Sequence, residues 1–241
     1  MTGNPLSHGE LEFALAISWS AIGFAAYYFL SHGNLFAGRI GILVKGFESQ
    51  GNKILLQRLL GILFLGVFSA IIILLLPGAT LKAYGLGFSF NVFPPWWAYL
   101  LVPLILGLGV FSARTPRNLA MYPQIRIREW TPGLLLISAI SWVVFLIGYE
   151  FLFRGFLLHA SLGLMQTLPA FALNGAIYAL AHFYKGPGET FGSIPVGIIL
   201  CYLTLITGNI WSAVILHSIM ALSNEWFSLQ AHPDMKIIRP R

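Results

Sequence analysis

The stretch Pro132-Gly-Leu-Leu-Leu-Ile-Ser-Ala-Ile-Ser-Trp-Val-Val-Phe-Leu-Ile-Gly-Tyr-Glu150-Phe-Leu-Phe-Arg154-Gly-Phe-Leu-Leu-His159 is apolar over nearly its whole length, yet it carries Glu150 and Arg154. A helix that crosses the hydrocarbon of a bilayer needs about 20 apolar residues. This segment meets that length and reads as a membrane span. Charged groups at such depth are costly unless paired or hydrated, so they mark function by default. Six further segments of similar character flank it. Leu11–Leu30, Ile54–Leu76 and Trp96–Phe111 precede it, and Leu168–Tyr184, Phe191–Thr207 and Ile210–Leu229 follow. The expected fold is all-α: a polytopic transmembrane helix bundle of about seven spans with an intramembrane polar cavity. Composition agrees, with 57% hydrophobic and only 9% charged residues, where a soluble domain carries about 25% charged. No repeat, low-complexity tract or linker interrupts the chain, so residues 1–241 read as a single membrane domain.

The basic residues set an expected orientation. Arg39, Lys45, Lys53 and Arg58 lie around the first loop, and Arg114, Arg117, Arg126 and Arg128 fill the third. Lys185 sits in the fifth, and Lys236, Arg239 and Arg241 end the chain. Short loops rich in Lys and Arg stay in the cytoplasm. The chain is therefore expected in the cell membrane as a multi-pass protein, N-terminus outside and C-terminus cytoplasmic. The start of the chain lacks the basic n-region of a signal peptide, so the first apolar helix is expected to remain as an anchor. The net charge of +6 is explained by these loops, which meet anionic lipid, and implies no nucleic-acid partner. Phe93-Pro94-Pro95-Trp96-Trp97 reads as an interfacial turn. Cys201, the single cysteine, reads as packing.

Four ionisable residues inside the later spans stand out as a candidate site: Glu150, Arg154, His182 and His217. Glu150 and Arg154, spaced i,i+4, share a helix face about one turn apart. His182 lies on the fifth span; His217 and Asn224 share a face of the seventh. Counted from the outer ends of their helices, Glu150 lies roughly 15 Å deep, His182 roughly 22 Å and His217 roughly 12 Å. All fall within roughly 10 Å of one another in depth, near the middle of a core about 30 Å thick. Taken alone, Glu150–Arg154 reads equally as a structural ion pair, and each His as a satisfied core residue. Together they favour a site. His159, His8, His32 and His232 read as interface or loop residues. Gly186-Pro187-Gly188 breaks the fifth helix. That leaves Lys185 and Glu189 beside His182, either as a loop ion pair or with Glu189 folding back as a second carboxylate. Tyr149 is a candidate lining residue.

A carboxylate and an imidazole that share a water form a general-base pair able to deprotonate it for attack on an amide carbonyl. A second imidazole with a neighbouring amide can donate to the developing oxyanion. No nucleophile elbow and no HExxH pair is present. Zn²⁺ held by Glu150, His182 and His217 is the alternative, and otherwise no cofactor is implied. A proton-coupled transporter suits the same residues, but no repeat symmetry or broken-helix pair accompanies them.

The segment Tyr149-Glu-Phe-Leu-Phe-Arg-Gly-Phe-Leu-Leu158 resembles the first motif, EExxxR, of the CAAX protease and bacteriocin-processing family of intramembrane proteases. Tyr178-Ala-Leu-Ala-His182 resembles its second motif and Ile210-Trp-Ser-Ala-Val-Ile-Leu-His217 its third, in matching order and spacing. Residues 130–230 thus carry the motif core. The resemblance implies an α-helical intramembrane endopeptidase acting on a membrane-associated peptide or protein. In it the glutamate and the second-motif His182 activate a water, and the third-motif His217 with an Asn stabilises the oxyanion; Arg154 is expected to orient Glu150. Some members of the family remove the last three residues of prenylated CAAX proteins, and others are linked to bacteriocin maturation or self-immunity. Two positions depart from the pattern. Tyr149 stands where the family has the first Glu, which leaves Glu150 as the remaining carboxylate. Ala221 stands where Asn or Asp follows the third-motif His, with Asn224 one turn further on the same face. Glu189 is the candidate substitute carboxylate. A non-catalytic relative with an immunity or partner-binding role is the alternative reading.

Overall fold

A computed structural model describes residues 7–33, 43–88 and 92–238 of the chain. Arg39, Arg239 and Arg241, used above for orientation, lie outside the described residues. The fold is all-α as expected, and its helices follow the seven apolar segments closely. We label them α1 (His8–His32), α2 (Ser49–Leu75), α3 (Trp96–Ser112), the short α4 (Pro116–Met121), α5 (Pro132–Leu162), α6 (Thr167–Ala181), α7 (Pro187–Thr207) and α8 (Trp211–Ala231). Helices α1, α2, α5 and α7 are long and apolar enough to cross a membrane. Helices α3 and α6 are shorter but apolar. Helix α8 has 21 residues and carries His217, Asn224 and Glu225.

Local sequence explains the ends. Pro187 opens α7 at its first position, where the missing N–H costs nothing. Gly208 closes it in the left-handed region at φ 68°, as a C-terminal glycine should. Thr115 caps α4, accepting from the Asn118 amide through Oγ1. The two longest helices are not uniform. Ile62–Val67 in α2 and Phe151–Leu157 in α5 are wide, π-type turns.

The chain builds two compact units, each assembled from separated stretches. The first comprises residues 1–27, 63–94 and 148–213. Here α2 and α5 meet backbone to backbone, since a Cβ on Gly66 would fall 2.9 Å from Gly148 Cα. Small residues at such crossings let membrane helices approach closely. Leu158 of α5, Phe171 of α6 and Cys201 of α7 form an apolar core. Cys201 is fully buried there, as its packing role requires.

The second unit comprises residues 28–62, 95–147 and 214–241. Its core gathers Phe47, Leu55, Ile125, Ile127, Trp130 and Leu229. Two short strands, β1 (Glu129–Trp130) and β2 (Lys236–Ile237), pair in parallel, with Glu129 opposite Lys236. Arg58, expected as a loop charge, lies instead inside α2 and is buried. Desolvation of a guanidinium demands a partner, and Glu225 of α8 supplies it, as described below.

Candidate active site

Glu150 and Arg154 lie at the wide turn of α5, both with no solvent exposure. Arg154 Nε stands 3.2 Å from Glu150 Oε2. The contact is an ion pair rather than an aligned hydrogen bond. The guanidinium carbon lies 4.1 Å from the centre of the Tyr178 ring, in cation–π geometry. Arg154 Nη2 also donates to the Gly197 carbonyl of α7 at 3.4 Å. Gly197 is needed for that approach, because a Cβ there would fall 3.4 Å from Nη2 and 3.1 Å from the Tyr178 ring. Gly155, next to Arg154, is tighter still, as its Cβ would sit 2.9 Å from the Tyr84 carbonyl oxygen. Tyr84 belongs to the turn Lys82–Leu86. Burial first, and then the Glu12 carboxylate, hold its phenol well above the usual tyrosine range, so it stays a hydrogen-bond donor.

Helix α6 brings the second group. His182 forms its C-terminal cap and is buried. Its Nδ1 lies 2.9 Å from the Tyr178 carbonyl. A carbonyl only accepts, so the proton of a neutral imidazole resides on Nδ1 and Nε2 keeps its lone pair. The Tyr178 ring leans on His182, with centroids 4.6 Å apart. Tyr149 closes the group, its ring 5.8 Å from Tyr178 and 6.2 Å from His182. Glu150, Arg154, Tyr178, His182 and Tyr149 thus form one continuous series of contacts within the first unit. Glu189 lies in the first turn of α7 and pairs with Lys185 at 3.4 Å.

Two residues of this unit gain a place that spacing alone does not give them. Asn174, one turn before Tyr178, is fully buried and donates from Nδ2 to the Phe153 carbonyl at 2.7 Å. His159, expected at an interface, turns back on its own helix. Its Nδ1 lies 3.1 Å from the Arg154 carbonyl and 2.8 Å from that of Gly155.

His217 and Asn224 belong to the second unit. His217 is buried on α8, Asn224 half-buried, and Ala221 buried between them. The same helix carries Glu225, which the motif reading does not single out. Its carboxylate accepts from Trp142 Nε1 at 3.0 Å and from the Gln124 amide at 3.1 Å. Arg58 Nη2 lies 3.7 Å from it. Arg58 is held in turn by Ser141 Oγ at 2.7 Å and the Ser138 carbonyl at 3.0 Å. The sequence signal for this node is a carboxylate in the middle of a membrane-type helix. Among the described residues, no three His, Cys, Asp or Glu side chains are grouped to hold a metal ion.

Residues 129–223 match the family model described as Rce1-like, type II CAAX prenyl endopeptidase Rce1-like. The match covers less than half of the chain. It takes in Glu150, Arg154, His182, His217 and Ala221, and stops just short of Asn224. The resemblance carried by the three motifs is borne out: this stretch is similar to type II CAAX prenyl endopeptidases. No curated protein and no solved structure matches the chain.

Proposed function

We propose that the protein is an intramembrane endopeptidase that hydrolyses a peptide bond in a membrane-associated protein or peptide. The observation that carries this reading is the contact series from Glu150 through Arg154 and Tyr178 to His182, whose Nδ1 lies against the Tyr178 carbonyl. His182 Nε2 and Glu150 act together as the base. A water gives up a proton to them as its oxygen attacks the scissile carbonyl carbon. The same proton passes to the leaving nitrogen when the C–N bond breaks. Arg154 pairs with Glu150 and holds its rotamer. His217 is assigned the oxyanion role on the third motif alone. The reaction needs no metal, and Zn²⁺ remains the alternative to be tested. The partners are the bilayer and the peptide substrate, not nucleic acid.

The test is incubation of purified protein with a peptide library in detergent, with and without chelator. Wild type is expected to cleave in both conditions, and Glu150→Gln and His182→Ala to cleave in neither. Full activity in either variant would defeat the assignment. Loss with chelator, restored by zinc, would move the mechanism to a metal. One feature favours a second reading, a non-catalytic relative that binds a peptide or partner: Tyr149 stands in place of the first motif carboxylate. Absence of cleavage by wild type, with peptide binding retained, would select it.

A further inference from the structure

Three consecutive carbonyls flank Arg154 in the wide turn of α5, and side chains reach all three. Asn174 Nδ2 donates to Phe153, and His159 Nδ1 addresses Arg154 and Gly155. Both partners of His159 accept only, so its Nδ1 bears the proton. Asn174 Oδ1 in turn accepts from Cys201 Sγ at 3.2 Å, which fastens α7 to the same point. The main chain shows why outside donors are needed. The Leu158 amide is divided between the carbonyls of Gly155 and Phe153, neither of which is its α-helical partner. Such widened turns are rare and concentrate at functional sites.

We propose that Asn174 and His159 are positioning residues whose donors hold Phe151–Leu157 open, so that Arg154 stays aimed at Glu150 and Tyr178. Collapse of the widened turn to regular α-helix would rotate one side of it against the other by about 100°, one residue's share of a helical turn. The direction of the guanidinium would change with it. Two donors from different elements, converging on three successive carbonyls, are more than a helix end needs. The consequence for rate rests on the peptidase reading; the lock itself does not.

The test uses full-length protein labelled with ¹⁵N in histidine and arginine. His159, assigned by the loss of its signal in His159→Asn, is expected as the Nδ1–H tautomer. His159→Leu removes the donor, whereas His159→Asn keeps one near the Nδ1 position. Asn174→Asp turns a donor into an acceptor facing the Phe153 carbonyl. His159→Leu and Asn174→Asp are expected to shift the Arg154 Nε–H resonance and to lower kcat on the order of a hundredfold, with KM little changed. His159→Asn should restore the resonance and most of kcat, which a general loss of stability would not predict. If Asn174→Asp does not fold, the two His159 variants decide. An Nε2–H tautomer at His159, or a His159→Leu protein with the wild-type Arg154 resonance and kcat, would overturn the proposal. Wild type without cleavage would remove the peptidase reading only, because the Arg154 resonance still reports on the lock.

Discussion

The Glu150–Arg154 pair has no solvent exposure on either side, so each charge depends on the other. Removing one partner of a buried pair typically costs about 3–5 kcal/mol, while replacing both with apolar residues is often neutral or better. Glu150→Ala is therefore expected to lower the thermal unfolding midpoint in detergent strongly. The double variant Glu150→Leu, Arg154→Met is expected to recover most of that loss and still cleave nothing. A double variant as unstable as the single one would contradict this account of the pair. Glu150, Arg154 and His182 are legible in the sequence because an ionisable side chain in an apolar run is conspicuous. Asn174 is not, since a buried amide raises no such alarm and its partner, the Phe153 carbonyl, is backbone. Glu225 carries a readable signal, but its partner Arg58 comes from the far side of the sequence, and no local spacing encodes that pairing.

At the scale of elements, apolar length alone predicts the helices to within a few residues. Hydrocarbon thickness sets that length, and glycines and prolines mark the ends. The wide turns are invisible to such reading. Whether an amide bonds four or five residues back at Phe151–Leu157 is set by Asn174 and His159, which are tertiary and local donors rather than a period in the sequence. The crossing of α2 and α5 is another feature of this kind. A Cβ at Gly66 would meet backbone, Gly148 Cα, at 2.9 Å, and backbone cannot step aside as a flexible side chain can. Gly66→Val is expected to destabilise the protein by roughly 1–3 kcal/mol, the usual cost of overpacking, read as a lower unfolding midpoint. An unchanged midpoint would mean that the helices separate easily there.

Over the whole molecule, the sequence foretells an all-α membrane chain from composition. It does not foretell the two compact units, because each is stitched from three separated stretches and nothing in the linear pattern marks their boundaries. Orientation rests on the basic loops. Single cysteines placed at His8 and at Lys236 test it. His8→Cys is expected to react with an impermeant thiol reagent in intact cells, and Lys236→Cys only after the membrane is opened. Cys201 gives little background in this assay because it is fully buried. The reverse labelling pattern would invert the assigned topology.

The pairing of β2 with β1 carries a temporal consequence. The Lys236 amide donates to the Arg128 carbonyl at 2.9 Å, and the Ile238 amide to that of Trp130 at 2.8 Å. Trp130 belongs to the core of its unit, yet its strand partner emerges from the ribosome only after α8 has been synthesised. Nascent chains halted just past α8 would hold that edge open, vulnerable to a protease, until residues 236–238 arrive to seal it.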